Sequence, residues 1–272
     1  MIFEILRRVT TSLDFSYNRA TPKEVVKLPD NEIFTVEMDV GNTDPNEIDW
    51  VPFALTHVEY PKGDFIGKIL AISSLMPMAI IAGFITLILF RRDLHTITFF
   101  IGLLLNELLN MILKYTIRES RPMHRNVQYT EFGMPSSHSQ LMWFFAIYSV
   151  YFTLFRLHQY PGKGLSALIQ KIGIIVTVLV VAACVAYSRI YLMYHTWSQI
   201  MWGAFMGSLF ATIWFGVTQL VFTPRFHDIV TWPISEFLLL RDTTLIPNIL
   251  WFEYTNSRQE SRARARKHLK SQ

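Results

Sequence analysis

The chain has 272 residues, of which 51% are hydrophobic and only 17% are charged. A soluble domain of this length usually carries about a quarter charged residues, so the composition indicates a membrane-embedded unit. The formal net charge of +4 does not suggest a nucleic-acid-binding protein, and the single cysteine, Cys184, excludes an intrachain disulfide.

The N-terminal region, residues 1–65, is polar and rich in acidic side chains. It contains strand-like fragments such as residues 33–36, but it has no clear helical period. The sequence does not decide between a small ordered cap and a floppy tail. We therefore predict a polar N-terminal extension outside the membrane.

The central region, residues 66–222, contains the apolar windows expected of membrane-spanning helices. A helix needs about 20 mostly apolar residues to cross the hydrocarbon core of a bilayer. The windows that meet this length, or nearly do, are 66–90, 94–113, 140–155, 172–187 and 198–222. The predicted fold is therefore all-α, a polytopic transmembrane helix bundle of about five spans.

Several residues inside these windows have two interpretations. Asn106, Glu107 and Asn110 lie at membrane depth, where an ionisable residue is a functional candidate and hydrogen bonding between helices is the alternative. Gly203 and Gly207 lie four residues apart in the last window. They predict close packing against a neighbouring helix of the same chain.

The C-terminal region, residues 223–272, is predicted to be an interfacial segment followed by a basic tail. Residues 232–251 are apolar in parts but interrupted by charges and by Pro247, which favours an interfacial or re-entrant segment over a sixth span. The tail and the loops after the first and third windows are basic, so the positive-inside rule places them in the cytosol. The N-terminal extension and the loops after the second and fourth windows then face the lumen or exterior.

Three polar segments, residues 114–122, 135–139 and 188–195, fall on this second face. These segments carry positive charge on the lumenal or exterior side, where the positive-inside rule predicts few Lys and Arg residues. This exception suggests that the charges have a chemical role. Fixed cations stabilise the negative charge of a phosphoryl-transfer transition state, and two histidines can act as nucleophile and general acid. The side chains in question are Lys114, Arg121, His138, Arg189 and His195, with hydroxyl donors from Ser136 and Ser137.

These segments resemble the motifs of the phosphatidic acid phosphatase type 2 superfamily, which includes lipid phosphatases and vanadium haloperoxidases. The family pattern is Lys, six residues, Arg-Pro; then Pro-Ser-Gly-His; then Ser-Arg, five residues, His, three residues, Asp. The residues that fit in identity and spacing are Lys114, Arg121, Pro122, Pro135, Ser136, His138, Ser188, Arg189 and His195. Ser137 stands where glycine is usual, and Gln199 stands where aspartate is usual.

The resemblance implies that His195 is the nucleophile and His138 the general acid. It implies that Lys114, Arg121, Ser136 and Arg189 bind phosphate, that Ser137 contributes a backbone N–H, and that neither a metal nor a cofactor is needed.

Gln199 can accept the hydrogen bond with which an aspartate would orient the histidine, but it supplies no negative charge. Three alternatives stay open: a weaker orienting residue, help from another acid such as Glu119 or Glu131, and loss of activity.

Residues 106–110, 133–140 and 194–199 further resemble the dolichyldiphosphatases of the endoplasmic reticulum, in which glutamine is expected at position 199. This implies hydrolysis of dolichyl diphosphate, a polyisoprenoid diphosphate lipid, through a phosphohistidine on the lumenal side of the membrane, recycling the carrier lipid of N-glycosylation. The alternatives are a phosphatase for phosphatidic acid or a sphingoid phosphate, and a non-catalytic polyisoprenoid-binding membrane protein. The oligomeric state does not follow from the sequence.

Overall fold

The structure is a computed structural model that describes residues 25–27, 33–35, 50–52, 58–122, 132–156, 165–244, 246 and 249–270. The chain forms two compact units, Met1–Asp64 and Phe65–Gln272. In the first unit, strands β1 (Val25–Lys27) and β2 (Ile33–Thr35) form one antiparallel pair, and β3 (Trp50–Pro52) and β4 (Glu59–Pro61) form another. The predicted division into residues 1–65, 66–222 and 223–272 stays a prediction.

The second unit is helical. Its helices are α1 (Phe65–Ser73), α2 (Met76–Arg91), α3 (Leu94–Ile117), α4 (Ser137–Phe155), α5 (Leu165–Tyr191), α6 (Trp197–Val217), α7 (Phe226–Val230), α8 (Pro233–Leu238) and α9 (Ile249–Lys270). A π-helical turn, Thr218–Phe222, and a 3-10 turn, Thr223–Arg225, join α6 to α7.

Within the described residues, four helical stretches are long and apolar enough to cross a membrane: Phe65–Arg91, Leu94–Ile117, Leu165–Tyr191 and Trp197–Val230. The third predicted window, residues 140–155, lies in α4, which has 19 residues and contacts α3, α5 and α6. Because protein rather than lipid surrounds much of α4, this helix can carry more polar side chains than its neighbours. The prediction of an all-α polytopic bundle of about five spans is confirmed.

The first span consists of two helices, α1 and α2, where the sequence predicted one uninterrupted window. The break falls at Ser74 and Leu75, directly before Pro77. Proline lacks a backbone N–H and is well tolerated in the first turn of a helix, where that N–H has no partner within the helix. Pro77 therefore starts α2 rather than continuing α1.

Glycines allow α4 and α6 to approach closely. A Cβ atom at Gly203 would lie 2.7 Å from the carbonyl oxygen of Ser136, and one at Gly207 would collide with the backbone of Gln140. The Ser139 hydroxyl adds a hydrogen bond of 2.9 Å to the carbonyl oxygen of Ile200. The predicted close packing within the chain is confirmed.

Buried amides join α3 to α4. Asn110 Nδ2 donates to Gln140 Oε1 at 2.8 Å, while Gln140 Nε2 donates to Asn106 Oδ1 at 3.1 Å and to its carbonyl oxygen at 3.0 Å. Unpaired polar groups are costly at membrane depth, so these bonds account for the two asparagines as links between helices. Glu107 is also buried, and a functional role for it stays a prediction.

The described residues between 232 and 251 contain no helix long and apolar enough for a sixth span, which agrees with the favoured interpretation. Helix α8 has only six residues and ends where Leu239 adopts a left-handed conformation with φ of 54°. The chain then returns to the turn between α2 and α3, where Leu94 N donates to the carbonyl oxygen of Arg241 and Arg241 N donates to that of Arg92. The basic tail forms α9, a helix that the sequence analysis did not predict.

Candidate active site

The three predicted segments meet at one end of the bundle, where α3 ends, α4 begins and α5 leads into α6. Main-chain hydrogen bonds hold them together. Gly133 N donates to the carbonyl oxygen of Glu119 at 2.6 Å, and Ser136 N donates to that of Gln199 at 3.2 Å. The Asn110 side chain also reaches the carbonyl oxygen of Pro135 at 3.3 Å. The segments are therefore fixed relative to one another before any substrate binds.

The end of α3 brings Lys114 and Arg121 to the site. The helix stops because Arg118 adopts a left-handed conformation with φ of 55°, and its N–H bonds to the carbonyl oxygen of Lys114 at 3.0 Å. The chain turns away from the helix axis at this cap, and Arg121 follows three residues later. The charges of Lys114 and Arg121 both act on the ring of His195.

Ser136 and Ser137 mark the start of α4. Ser136 is the N-cap residue, but its side chain does not bond to the first turn of the helix. Among the described residues, Ser136 Oγ is a fully buried hydroxyl oxygen without a hydrogen-bond partner. A buried unpaired hydroxyl costs about 1–3 kcal/mol, and a helix N-terminus favours anions. This end of α4 is therefore suited to a bound phosphate.

The turn after α5 holds Arg189 and His195 together. Met193 takes a left-handed conformation with φ of 57°, and the N–H groups of Tyr194 and His195 both bond to the carbonyl oxygen of Arg189, at 3.0 and 3.1 Å. The guanidinium of Arg189 lies 3.9 Å from the centre of the Tyr194 ring, a cation–π contact. Both site side chains are buried.

Gln199 contacts His195 directly: His195 Nδ1 lies 3.1 Å from Gln199 Oε1. The amide oxygen can only accept, so Nδ1 carries the ring proton and Nε2 retains its lone pair. Gln199 also closes a capping box with Thr196 at the start of α6. This capping box was not predicted, although Thr196 followed three residues later by glutamine is its usual signature.

The other end of the Gln199 amide contacts the segment after α3. Nε2 donates to Glu119 Oε1 at 2.8 Å and to the carbonyl oxygen of Ser120 at 2.9 Å. Of the two acids considered from the sequence, Glu119 is therefore in contact with Gln199. Glu131 lies outside the described residues.

The electrostatic surroundings of His195 favour its neutral form. Burial lowers the pKa of His195 well below its usual value of 6.5, and the positive charges of Arg189, Arg121 and Lys114 lower it further, while the hydrogen bond with Gln199 acts in the opposite direction. A neutral imidazole with a free Nε2 is the form that can attack phosphorus. His138 lies in the field of the same three cations and of His195.

The described residues thus bring every predicted site residue to one end of the bundle: Lys114, Arg121, Ser136, Ser137, His138, Arg189, His195 and Gln199. Within the same part of the chain, no group of three or more His, Cys, Asp or Glu side chains is placed to hold a metal ion. The arrangement combines a histidine whose surroundings favour its neutral form, a second histidine and three cationic side chains, a set that can bind and attack a phosphate.

Comparison with known proteins finds relatives of this chain. Residues 95–222 match the PAP2 superfamily. The chain is 53% identical over 221 residues to Dolichyldiphosphatase 1 of Rhinolophus ferrumequinum, covering 80% of this chain and 92% of that protein. It is 43% identical over 204 residues to Dolichyldiphosphatase 1 of Dictyostelium discoideum, covering 74% and 87%.

A solved PAP2-type phosphatidylglycerolphosphate phosphatase from Bacillus subtilis is also similar, with a TM-score of 0.48 and 20% identity over 59% of this chain and 80% of that one. The identity and coverage of the sequence relatives assign the family: the chain belongs to the dolichyldiphosphatases of the PAP2 superfamily.

Proposed function

We propose that the protein hydrolyses dolichyl diphosphate to dolichyl phosphate and inorganic phosphate within the membrane. The proposal draws on its dolichyldiphosphatase relatives and on helices that are long and apolar enough to cross a membrane. The observation that carries it is the buried His195, whose Nδ1 faces Gln199 and whose surroundings include Arg189, Arg121 and Lys114.

In the proposed reaction, His195 Nε2 attacks the terminal phosphorus of the diphosphate. The bond from this phosphorus to the bridging oxygen breaks. His138, whose protonated form is favoured by the negative charge of the bound diphosphate, donates a proton to the leaving dolichyl phosphate. His138, now neutral, takes a proton from water as the water attacks the phosphohistidine, which releases phosphate and restores His195.

Lys114, Arg121 and Arg189 bind the oxygens of the transferred phosphoryl group in this scheme. Arginine presents paired donors that suit phosphate oxygens, while lysine supplies a compact charge. Ser136 Oγ is buried, and a phosphate oxygen would give its hydroxyl an acceptor. These groups stabilise the charge that develops in the transition state.

We place the site on the lumenal side of the endoplasmic reticulum membrane. The support is the basic character of the opposite end, where Arg92 and Arg241 meet and which also leads into α9. In a Cys184→Ala background, an impermeant maleimide should label Arg258→Cys in intact microsomes. It should label Arg118→Cys only after the vesicles are permeabilised. The reverse pattern would contradict this orientation.

The substrate assignment is tested by phosphate release from purified protein in detergent without added metal. Dolichyl diphosphate should be hydrolysed faster than dolichyl phosphate or phosphatidic acid. His195→Ala should lower kcat by about 10⁴-fold or more, as removal of a nucleophile does elsewhere, with no loss of folded protein. His227→Ala is the matched control, because His227 is exposed on α7, and should keep the wild-type rate.

Faster release from phosphatidic acid would make the protein a general lipid phosphatase with the same chemistry. No release from any of the three lipids would favour a polyisoprenoid-binding protein without catalysis. A His195→Ala variant with the wild-type rate would refute the nucleophile assignment.

A further inference from the structure

We propose that Glu119 is a positioning residue for His195 and acts through the amide of Gln199. The proposal rests on the proposed hydrolytic function and extends it to a carboxylate at one of the six unspecified positions between the motif residues Lys114 and Arg121. In the family pattern an aspartate contacts the histidine directly. Here the carboxylate stands one hydrogen bond further away, with Gln199 between it and the ring.

The contacts of Gln199 determine which way its amide faces. Nε2 donates to two acceptors, Glu119 Oε1 at 2.8 Å and the carbonyl oxygen of Ser120 at 2.9 Å. On the other side, Oε1 accepts from Thr196 N at 3.3 Å. A flipped amide would place oxygen against two acceptors and NH₂ against a backbone donor. The flipped state is therefore disfavoured on both sides.

The orientation of the amide in turn selects the tautomer of His195. With Oε1 facing the ring, the proton stays on Nδ1 and the lone pair on Nε2. A flipped amide would donate to Nδ1, which would move the ring proton to Nε2 and remove the nucleophile.

The surrounding backbone holds Glu119 next to Gln199 and leaves space for the side-chain amide of Gln199. The carbonyl oxygen of Glu119 accepts from Gly133 N at 2.6 Å. A Cβ atom at Gly133 would lie 2.7 Å from Gln199 Nε2, so a side chain there would displace the amide. The Nδ1 side of His195 is thus bordered by a connected group of residues: Gln199, Glu119 and Gly133.

The kinetic test compares Glu119→Gln, Glu119→Ala, Gln199→Glu and the exchange variant Glu119→Gln/Gln199→Glu. Loss of an outer hydrogen-bond partner of a reactive group typically lowers activity 10–100-fold. We expect Glu119→Gln to lower kcat about tenfold and Glu119→Ala about 100-fold, with KM within about twofold. Glu236→Gln, at an exposed position on α8, should leave both constants unchanged.

The rate of the exchange variant distinguishes a positioning role of Glu119 from a role in structural support alone. Gln199→Glu alone places two carboxylates against each other and should be nearly inactive. Adding Glu119→Gln restores an amide donor opposite the new carboxylate, so the double variant should exceed Gln199→Glu by at least about tenfold. A double variant no better than Gln199→Glu, or single Glu119 variants within twofold of wild type, would overturn the proposal.

A second measurement does not depend on the substrate. The ¹⁵N spectrum of the His195 ring, identified by comparison with His195→Ala, should show the proton on Nδ1 in the wild type. It should show loss of that preference in Glu119→Ala, and an unchanged tautomer there would overturn the proposal. A wild-type protein that hydrolyses none of the lipids would refute the proposed function while leaving this tautomer test intact.

Discussion

Gln199 illustrates how much of the site depends on a single side chain. Its oxygen accepts from His195 Nδ1 and from the backbone of Thr196, and its nitrogen donates to Glu119 and Ser120. The side chain is completely buried, so each of its hydrogen-bonding groups needs a partner in the protein. Gln199 therefore offers His195 the hydrogen-bond acceptor that a motif aspartate would offer. Unlike the aspartate, it places no negative charge directly beside the ring.

The environment of His195 predicts the pH dependence of kcat/KM. In the proposed reaction His195 attacks in its neutral form, and its pKa lies below the usual value because of burial and the neighbouring cations. As pH falls, the neutral form should therefore persist to a lower pH than it would in an ordinary histidine. In the pH profile of kcat/KM, the acidic limb that reports the protonation of His195 should have its midpoint below about pH 6.5.

Removal of one cation should move that limb in a known direction. Arg121 lowers the pKa of His195, so Arg121→Gln should raise it and shift the limb to higher pH. The variant should also lose about 10²–10³-fold in kcat/KM through weaker transition-state binding. Arg118→Gln removes an exposed arginine nearby and should leave the limb in place. A shift to lower pH in Arg121→Gln would contradict the account.

Helix α4 is the element on which the site is built. Its first turn contains Ser137 and His138, its face toward α6 is held close by Gly203 and Gly207, and its Gln140 side chain is bonded to α3. A small shift of α4 would therefore move Ser136 and His138 together relative to His195. We therefore expect tight packing around this helix to affect catalysis as well as stability.

Gly207 offers a test of this packing with a control in the same helix. A Cβ atom at Gly207 would collide with the backbone of Gln140, whereas one at Gly216 would meet nothing within 4 Å. Both changes to alanine raise helix propensity equally, so only the contact differs. Gly207→Ala should destabilise the protein by about 1–3 kcal/mol, measured as a lower thermal midpoint in detergent. Gly216→Ala should match or exceed the wild type, and equal midpoints for the two variants would refute the close contact.

Hydropathy predicted most helices of the bundle but not their interruptions. The lipid-facing stretches are continuous apolar runs, which length and composition reveal. The break before Pro77 is a local backbone effect inside such a run. The window 140–155 was too short because α4 begins at Ser137 with polar residues that serve the site. The sequence of α9 is too polar for a hydropathy criterion to identify it as a helix.

At the scale of the helix bundle, the candidate active site and the contact between Arg92 and Arg241 lie at opposite ends. The site lies where α3 ends and α4 begins, and the opposite end carries the contact between Arg92 and Arg241. The motifs predicted which residues gather at the first end, because motif spacing and the order of the spans place them on one side. They could not predict that Glu119 faces Gln199, because that depends on the cap at Arg118.

The phosphohistidine is the central claim, and rapid-quench trapping tests it most directly. Wild-type protein is mixed with dolichyl diphosphate labelled with ³²P at the terminal phosphorus, stopped in alkali within one turnover, and separated from free lipid. We predict protein-bound label that is stable in alkali, is lost in acid, and is absent from His195→Ala. Complete turnover with no bound label at any time, or equal labelling of His195→Ala, would contradict the account.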